Sequence, residues 1–364
     1  MSWPVVALGD ICELKYGKSL AASVRQDGPF PVMGSNGVVG SHNSAITAGP
    51  TVVIGRKGSI GAVAYTGGPS WPIDTTYFVD ASTTAQDLRW LYWRLASLGL
   101  EKMNKSAAVP GLNRDDAYRV TFPLPPLPEQ RRIASILDEA ELLQLTAIRS
   151  IDGLNGLAGS IYSQLFETPG ASGRAFPASL LGTIGTLERG VSRARPRNRP
   201  DLLAGVHPLV QTGDIANADG YVSSHRQTYS DAGLAQSRMW PAGTLAITIA
   251  ANIAKTAILT YPACFPDSVV GFTPKGGIQS EYVRFWLRGV QKTLELQAPS
   301  SAQKNINLEI LRGLRIPIPP DSLQLHFVES IHRIEKLKEK ARSRSAKFDE
   351  LFASLQYRAF RGEL

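Results

Sequence analysis

The sequence predicts an α+β chain of two tandem globular units, each followed by a long helix. The two helices are expected to pack as an antiparallel coiled coil about a pseudo-twofold axis. Three observations predict this. The proline-rich stretch Pro123-Leu-Pro-Pro-Leu-Pro-Glu-Gln-Arg-Arg-Ile-Ala-Ser-Ile-Leu-Asp138 returns 194 residues later as Pro317-Ile-Pro-Pro-Asp-Ser-Leu-Gln-Leu-His-Phe-Val-Glu-Ser-Ile-His332. After each copy, apolar residues recur at alternating spacings of four and three. Before each copy, short β-like runs alternate with Gly-rich turns. Residues 1–123 and 171–318 are therefore the globular units, and 124–170 and 319–364 the helical spacers.

The first unit opens with Trp3-Pro4, Leu8-Gly9, Ile11, Leu14, Gly17 and Ser19, and the second with Phe176-Pro177, Leu181-Gly182, Ile184, Leu187, Gly190 and Ser192. That is an offset of 173, which becomes 194 from Gly49 and Gly243 onward. About twenty residues are thus inserted in the second unit between these points. At the longer offset Phe78 meets Phe272, Arg94 meets Arg288 and Asn113 meets Asn307. Two copies covering nearly the whole chain indicate internal duplication. Thr51–Ile54, Val63–Tyr65, Thr76–Val79, Leu245–Thr248 and Val269–Val270 read as strands. One amphipathic helix per unit is expected near Gln86–Leu100 and Ser280–Leu296, with Trp90, Trp93, Phe285 and Trp286 as core bulk.

Prolines stop each unit, and a proline is welcome in a helix's first turn, where Pro128 falls. In the second copy Asp321 with Gln324 reads as a capping box. The first seam is Ile133, Leu137, Ala140, Gln144, Ala147, Ile151, Leu154, Ala158, Ile161 and Leu165. The second is Phe327, Ile331, Ile334, Lys338, Ala341, Ser345, Phe348, Phe352, Leu355 and Ala359. About 33 residues at ~1.5 Å rise give a rod of roughly 50 Å. Gly153, Gly156 and Gly159 imply close helix–helix contact or a bend.

Length and composition narrow the function. At 364 residues there is room for two cores. No apolar run approaches the ~20 residues of a membrane span, and the N-terminus lacks a signal-peptide pattern. Cys12 and Cys264 are isolated, so a reducing cytoplasm and no structural metal are expected. The net charge of +8 favours a polyanionic partner. Residues 171–318 hold most of it, with 16 basic and 9 acidic side chains.

The catalytic motifs fail one by one. Tyr16-Gly-Lys-Ser19 resembles the end of a P-loop, but position 12 is Cys where that motif needs Gly. Asp10, Glu13 and Lys15 have no counterpart in the second unit. The five histidines show no zinc spacing. Nucleic-acid chemistry is better represented. Arg56, Lys57 and Ser59 occupy a glycine-flanked turn after a strand, suited to phosphates or, through arginine, to guanine. Arg193, Arg195, Arg197 and Arg199 alternate between Pro-imposed breaks, so an extended chain would align them on one face as a phosphate clamp. Four phosphate contacts would contribute about −3.6 to the salt slope. This run falls in the insertion found only in the second unit. Lys105 and Asn113, and Gln303, Lys304 and Asn305, sit in matching loops with side chains that suit base edges.

The hinge Pro123-Leu-Pro-Pro-Leu-Pro-Glu-Gln130 with Arg132-Ile-Ala134 and Leu137-Asp138 closely resembles that of the DNA-specificity (S) subunit of Type I restriction–modification enzymes. The tandem layout, the Leu8-Gly-Asp-Ile11 start and Ile54-Gly-Arg-Lys-Gly-Ser-Ile-Gly61 are similar too. The second hinge departs after its prolines, where Asp321-Ser-Leu-Gln-Leu-His326 replaces Leu127-Pro-Glu-Gln-Arg-Arg132 and keeps only the glutamine. The resemblance implies two target-recognition domains, each reading half of an asymmetric bipartite site on double-stranded DNA. It implies helices that space these domains and dock two modification (methyltransferase) subunits, with restriction subunits adding cleavage. S-adenosylmethionine would then sit on the methyltransferase, this chain holding no cofactor and no catalytic residue. A stand-alone DNA-modifying or DNA-cleaving enzyme is the alternative.

Overall fold

The computed structural model describes residues 3–103, 111–167, 176–250, 253–297 and 306–364. The chain forms two units: Met1–Arg149 with Ala341–Leu364, and Ser150–Lys340. The first unit is closed by an antiparallel pair, Val5–Ala7 with Thr121–Pro123. Just beyond it, the Leu124 amide donates to the Pro4 carbonyl. The second unit is closed the same way by Ala178–Leu180 with Arg315–Pro317, and the Ile318 amide donates to the Pro177 carbonyl.

Inside the first unit, a four-stranded antiparallel sheet runs Lys15–Tyr16, Thr76–Asp80, Thr51–Gly55, Val63–Thr66. A second sheet of three joins Gly37–His42, Phe30–Gly34 and Trp71–Pro72, the last pair parallel. Val52, Ile54, Tyr77 and Val79 point into one core with Trp90, Leu91 and Trp93 of the helix Leu88–Ser97. In the second unit the same strand order recurs as Gly185–Arg189, Val269–Pro274, Leu245–Thr248, Thr256–Leu259. Its helix, Ser280–Gln297, buries Tyr282, Val283, Phe285 and Leu287. The expected strands and helices are all present, and Trp90 and Phe285 are core residues.

Strand register corrects three details of the repeat. First, Gly55 pairs with Thr76 while Thr248 pairs with Val269, so the sheets correspond at an offset of 193, not 194. Val79, not Phe78, is the equal of Phe272. A slip of one residue reverses which face a strand side chain occupies. Second, the helices correspond at 192, because Asp87 and Gln279 occupy the same place before them, so Trp286 rather than Arg288 is the equal of Arg94. Third, Arg193–Arg199 does not lie in the insertion. Tyr16 to Phe30 and Arg189 to Leu203 are equal intervals. The extra residues lie later: Phe30–Gly34 and Gly37–His42 meet across a two-residue turn, whereas Leu203–Leu209 reaches its partner Gln227–Tyr229 only after a helix, Thr212–Asn217, and a strand, Tyr221–Val222. That strand adds a fifth member to the sheet.

The long helices span Leu127–Phe166 and Asp321–Ala359. Every predicted seam position is buried or half-buried. In the first unit the start of the first helix, at Ile133, Ala134 and Leu137, shares a core with Ala359 and Phe360 from the end of the second. The Gln144 amide there donates to Asp349 at 2.8 Å. In the second unit the end of the first helix, at Ala158 and Tyr162, packs with Phe327, Ile331 and Ile334 from the start of the second. The helices are therefore antiparallel within each unit. Gly153, Gly156 and Gly159 do not mark close contact: a methyl group at any of them would meet open space.

The hinges share one device. Gln130, 1% exposed, accepts from the Asp87 amide at 2.9 Å and donates to the Pro125 carbonyl at 2.9 Å. Gln324, 0% exposed, accepts from the Gln279 amide at 3.0 Å and donates to the Pro319 carbonyl at 2.9 Å. Gln324 is thus no capping-box residue. Each glutamine ties the start of its unit's helix to the proline turn that launches the long helix.

Candidate nucleic-acid interface

In the first unit, the turn after Thr51–Gly55 is fixed by its own backbone. The Gly55 amide donates to Ala62, the Gly61 amide to Gly55, and the Arg56 and Lys57 amides both donate to Thr75. A Cβ at Gly55 would collide with the Ser59 carbonyl oxygen, and Gly58 and Gly61 hold positive φ. Arg56 therefore leaves the turn in a set direction, with Lys57 exposed and Ser59 half-buried beside it. The Arg56 guanidinium lies 5.1 Å from the ring centroid of Tyr16. A second guanidinium, that of Arg114, lies 5.2 Å from the same ring.

Arg114 is placed by Asn113, whose side-chain oxygen caps the helix Arg114–Tyr118 by accepting from Asp115 and Asp116. Just upstream, the Leu112 amide donates to the Arg56 carbonyl, joining both arginines to one frame. The Asn113 oxygen thus has a structural role, and Asn307 caps its own short helix by accepting from the Ile310 amide. Among the described residues Arg56 and Arg114 have no acidic partner, and the Nε of each is buried with no hydrogen bond. Beneath them the Tyr77 hydroxyl donates to the Leu112 carbonyl, and burial is the chief cause that pushes it up to about 12.

In the second unit the arginine run does not form an extended edge. Residues 194–198 bend and turn. Arg195 and Arg197 converge on Asp267, at 3.3 and 2.5 Å, and Arg199 pairs with Asp201 at 2.6 Å. Gln236 accepts from the Arg193 and Ala194 amides and pins the segment. Three of the four cations are thus already partnered, and the aligned clamp is corrected to a folded, partly neutralised loop. Beside it is a cavity of about 140 Å³ lined in part by Ser192, Arg197, Asn198, Gln211 and Gln227. The Ser192 hydroxyl is buried there without a partner.

The sequence alone does not single out Arg114, Gln211 or Gln227, and it offers Tyr16 only as part of a failed P-loop match. Arg114 carried a readable signal, since it directly follows a residue with an N-cap side chain. Lys105, Gln303, Lys304 and Asn305 lie outside the described residues. Among the described residues no cluster of three or more metal-ligating side chains occurs, and no helix is long and apolar enough to cross a membrane.

The family model for the Type I restriction modification DNA specificity domain matches residues 1–152 and 192–344. A curated relative, the Type I restriction enzyme MjaVIII specificity subunit of Methanocaldococcus jannaschii, is 23% identical over 195 residues. That match covers 50% of this chain and 46% of the relative, so it spans about half the relative's length. Among solved structures, the Type-I restriction-modification system S subunit from M. genitalium gives a TM-score of 0.67 at 14% identity, covering 99% of this chain and 96% of that one. A chain from a study of assembly and conformational transition of the type I R-M system gives 0.60 at 16% identity, covering 100% and 98%. These likenesses are of fold.

Proposed function

The chain belongs to the Type I restriction–modification DNA-specificity family, and from that premise we propose that it is the non-catalytic subunit that selects the DNA site. It recognises an asymmetric bipartite sequence in double-stranded DNA and positions two adenine-methyltransferase subunits, which bind S-adenosylmethionine, and restriction subunits. One observation carries the reading: a single frame is built twice and presents different chemistry each time.

The Leu112 amide donates to the Arg56 carbonyl just as the Ile306 amide donates to that of Ile249, and Asn113 and Asn307 cap equivalent helices. By this correspondence Arg56 and Arg114 of the first unit stand where the second has Ile249 and Leu308. A shared scaffold with unlike tips suits two half-sites of different sequence. Exposed Leu142, Leu143, Leu145 and Ile148 on the first long helix support its use as a docking surface.

The experiment is co-expression with a candidate methyltransferase partner in a host free of adenine methylation, followed by methylome sequencing. Methylated adenines at one split, non-palindromic motif are expected, and an unchanged methylome with both proteins present would refute the assignment. A chain that modifies or cleaves DNA by itself would support the alternative of a stand-alone enzyme.

A further inference from the structure

We propose that Arg56 and Arg114, braced by Tyr16, form a guanine-reading site in the first unit, so that its half-site contains a G·C pair which the second unit's equivalent positions do not read. This rests on the DNA-specificity reading above and adds to it a base identity and the residues that impose it.

The argument starts from the two guanidiniums. Both lie about 5 Å from the Tyr16 centroid, so the two positive charges lie within about 10 Å of each other, a distance over which salt only partly screens them. Among the described residues no acid offsets either one. Each Nε is buried and unbonded, so the terminal Nη pair is what remains for a ligand. A guanidinium held against an aromatic ring has its plane restricted, and a planar pair of donors matches the O6 and N7 acceptors of guanine in the major groove. Phosphate binding needs charge but no plane, and exposed Lys57, on the same turn, supplies that charge.

The anchoring is rigid on both sides. The Arg56 turn is locked by the Thr75, Ala62 and Gly55 bonds, the Arg114 helix by the Asn113 cap, and the two meet at the bond from the Leu112 amide to the Arg56 carbonyl. Tyr16 is 49% exposed, which places this cluster at the surface. In the second unit the same frame carries Ile249 and Leu308, neither of which offers a hydrogen-bond donor to guanine.

The test uses the full chain with a randomised duplex DNA pool, selection by binding and sequencing of the bound fraction. Arg56→Lys and Arg114→Lys keep the charge and lose the paired planar donors. Arg56→Ile with Arg114→Leu installs side chains that the frame accepts at the equivalent positions. The expected result is an enriched split motif whose first half contains a guanine. Preference for that guanine should fall about 5- to 150-fold in each variant, with the other half of the motif unchanged. If the lysine variants keep the guanine preference, or the double variant weakens all sequences equally, the two arginines are phosphate contacts and the inference is overturned while the specificity reading stands. If wild-type protein enriches no motif, the specificity reading fails and this inference falls with it.

Discussion

Replacing Gln324 with leucine should destabilise the second unit by about 2–4 kcal/mol. The side chain is fully buried, and its amide joins the Gln279 N–H to the Pro319 carbonyl. Leucine keeps most of the volume, so the cavity term is small. What remains is two backbone groups stranded without a partner, each worth about 1–3 kcal/mol. The upper end is reduced because Gln279 is only half-buried and water reaches it. Gln130→Leu should act the same way on the first unit, stranding the Asp87 amide and the Pro125 carbonyl. Hydrogen exchange in urea resolves the two units, so each variant should lower protection in its own unit and leave the other near wild type. Gln324→Glu adds a sign. Its carboxylate would face the Pro319 carbonyl, so protonation is favoured in the fold and the variant should recover stability as pH falls. A loss under about 0.5 kcal/mol in either leucine variant would refute the idea that the glutamine is the repeated fastening.

Three further outcomes follow from the geometry. Cys12 is buried, which pushes its thiol up to about 12 from the usual 9.0. A raised folded value means the thiol's contribution to stability is fully present below about pH 9 and lost as pH climbs towards 12, so Cys12→Ala should make the alkaline loss in pH-dependent melts shallower. Lys338, 2% exposed at a seam position, is ion-paired with Asp219 and with Glu335 at 2.8 Å. Lys338→Met should therefore change stability by less than about 1.5 kcal/mol, whereas Asp219→Asn with Glu335→Gln leaves a buried charge and should cost about 3–5 kcal/mol, read by chemical denaturation. Asp267→Asn frees Arg195 and Arg197 and should tighten binding to unrelated DNA sequences, with a steeper salt dependence measured by fluorescence anisotropy.

The sequence exposed most of the scaffold because the scaffold is written twice in apolar periodicity. The seam positions of both helices are buried or half-buried where the spacing put them. Register was harder to read. Phe78 and Phe272 match by identity at the offset of 194, but hydrogen-bonded pairing equates Val79 with Phe272, and only the backbone ladder reveals that difference. The arginine run misled for another reason. Charge and proline spacing identify a solvated segment, but Asp267 lies 70 residues beyond Arg197 and gives no local sign that it neutralises the loop. Tyr16 and Arg114 were hidden likewise, because their site exists only once the strand, the turn and the capped helix are brought together.

The closing of the first unit has a consequence for how the protein is made. Its residues 1–149 depend for their core on Ala359 and Phe360, and on Phe352, whose ring lies 5.3 Å from that of Trp93. The second unit is a continuous stretch of sequence, 150–340, that falls between the two stretches making up the first. On the ribosome, the part that begins first is therefore completed last, after everything enclosed by it has emerged. Until then the faces of Trp93 and Ile133 that those residues cover must wait exposed to solvent or to a chaperone. A chain ended at residue 340 and released from the ribosome should show protease resistance across the second unit and cleavage within the first. Resistance of both at that length would mean the early residues close their core unaided.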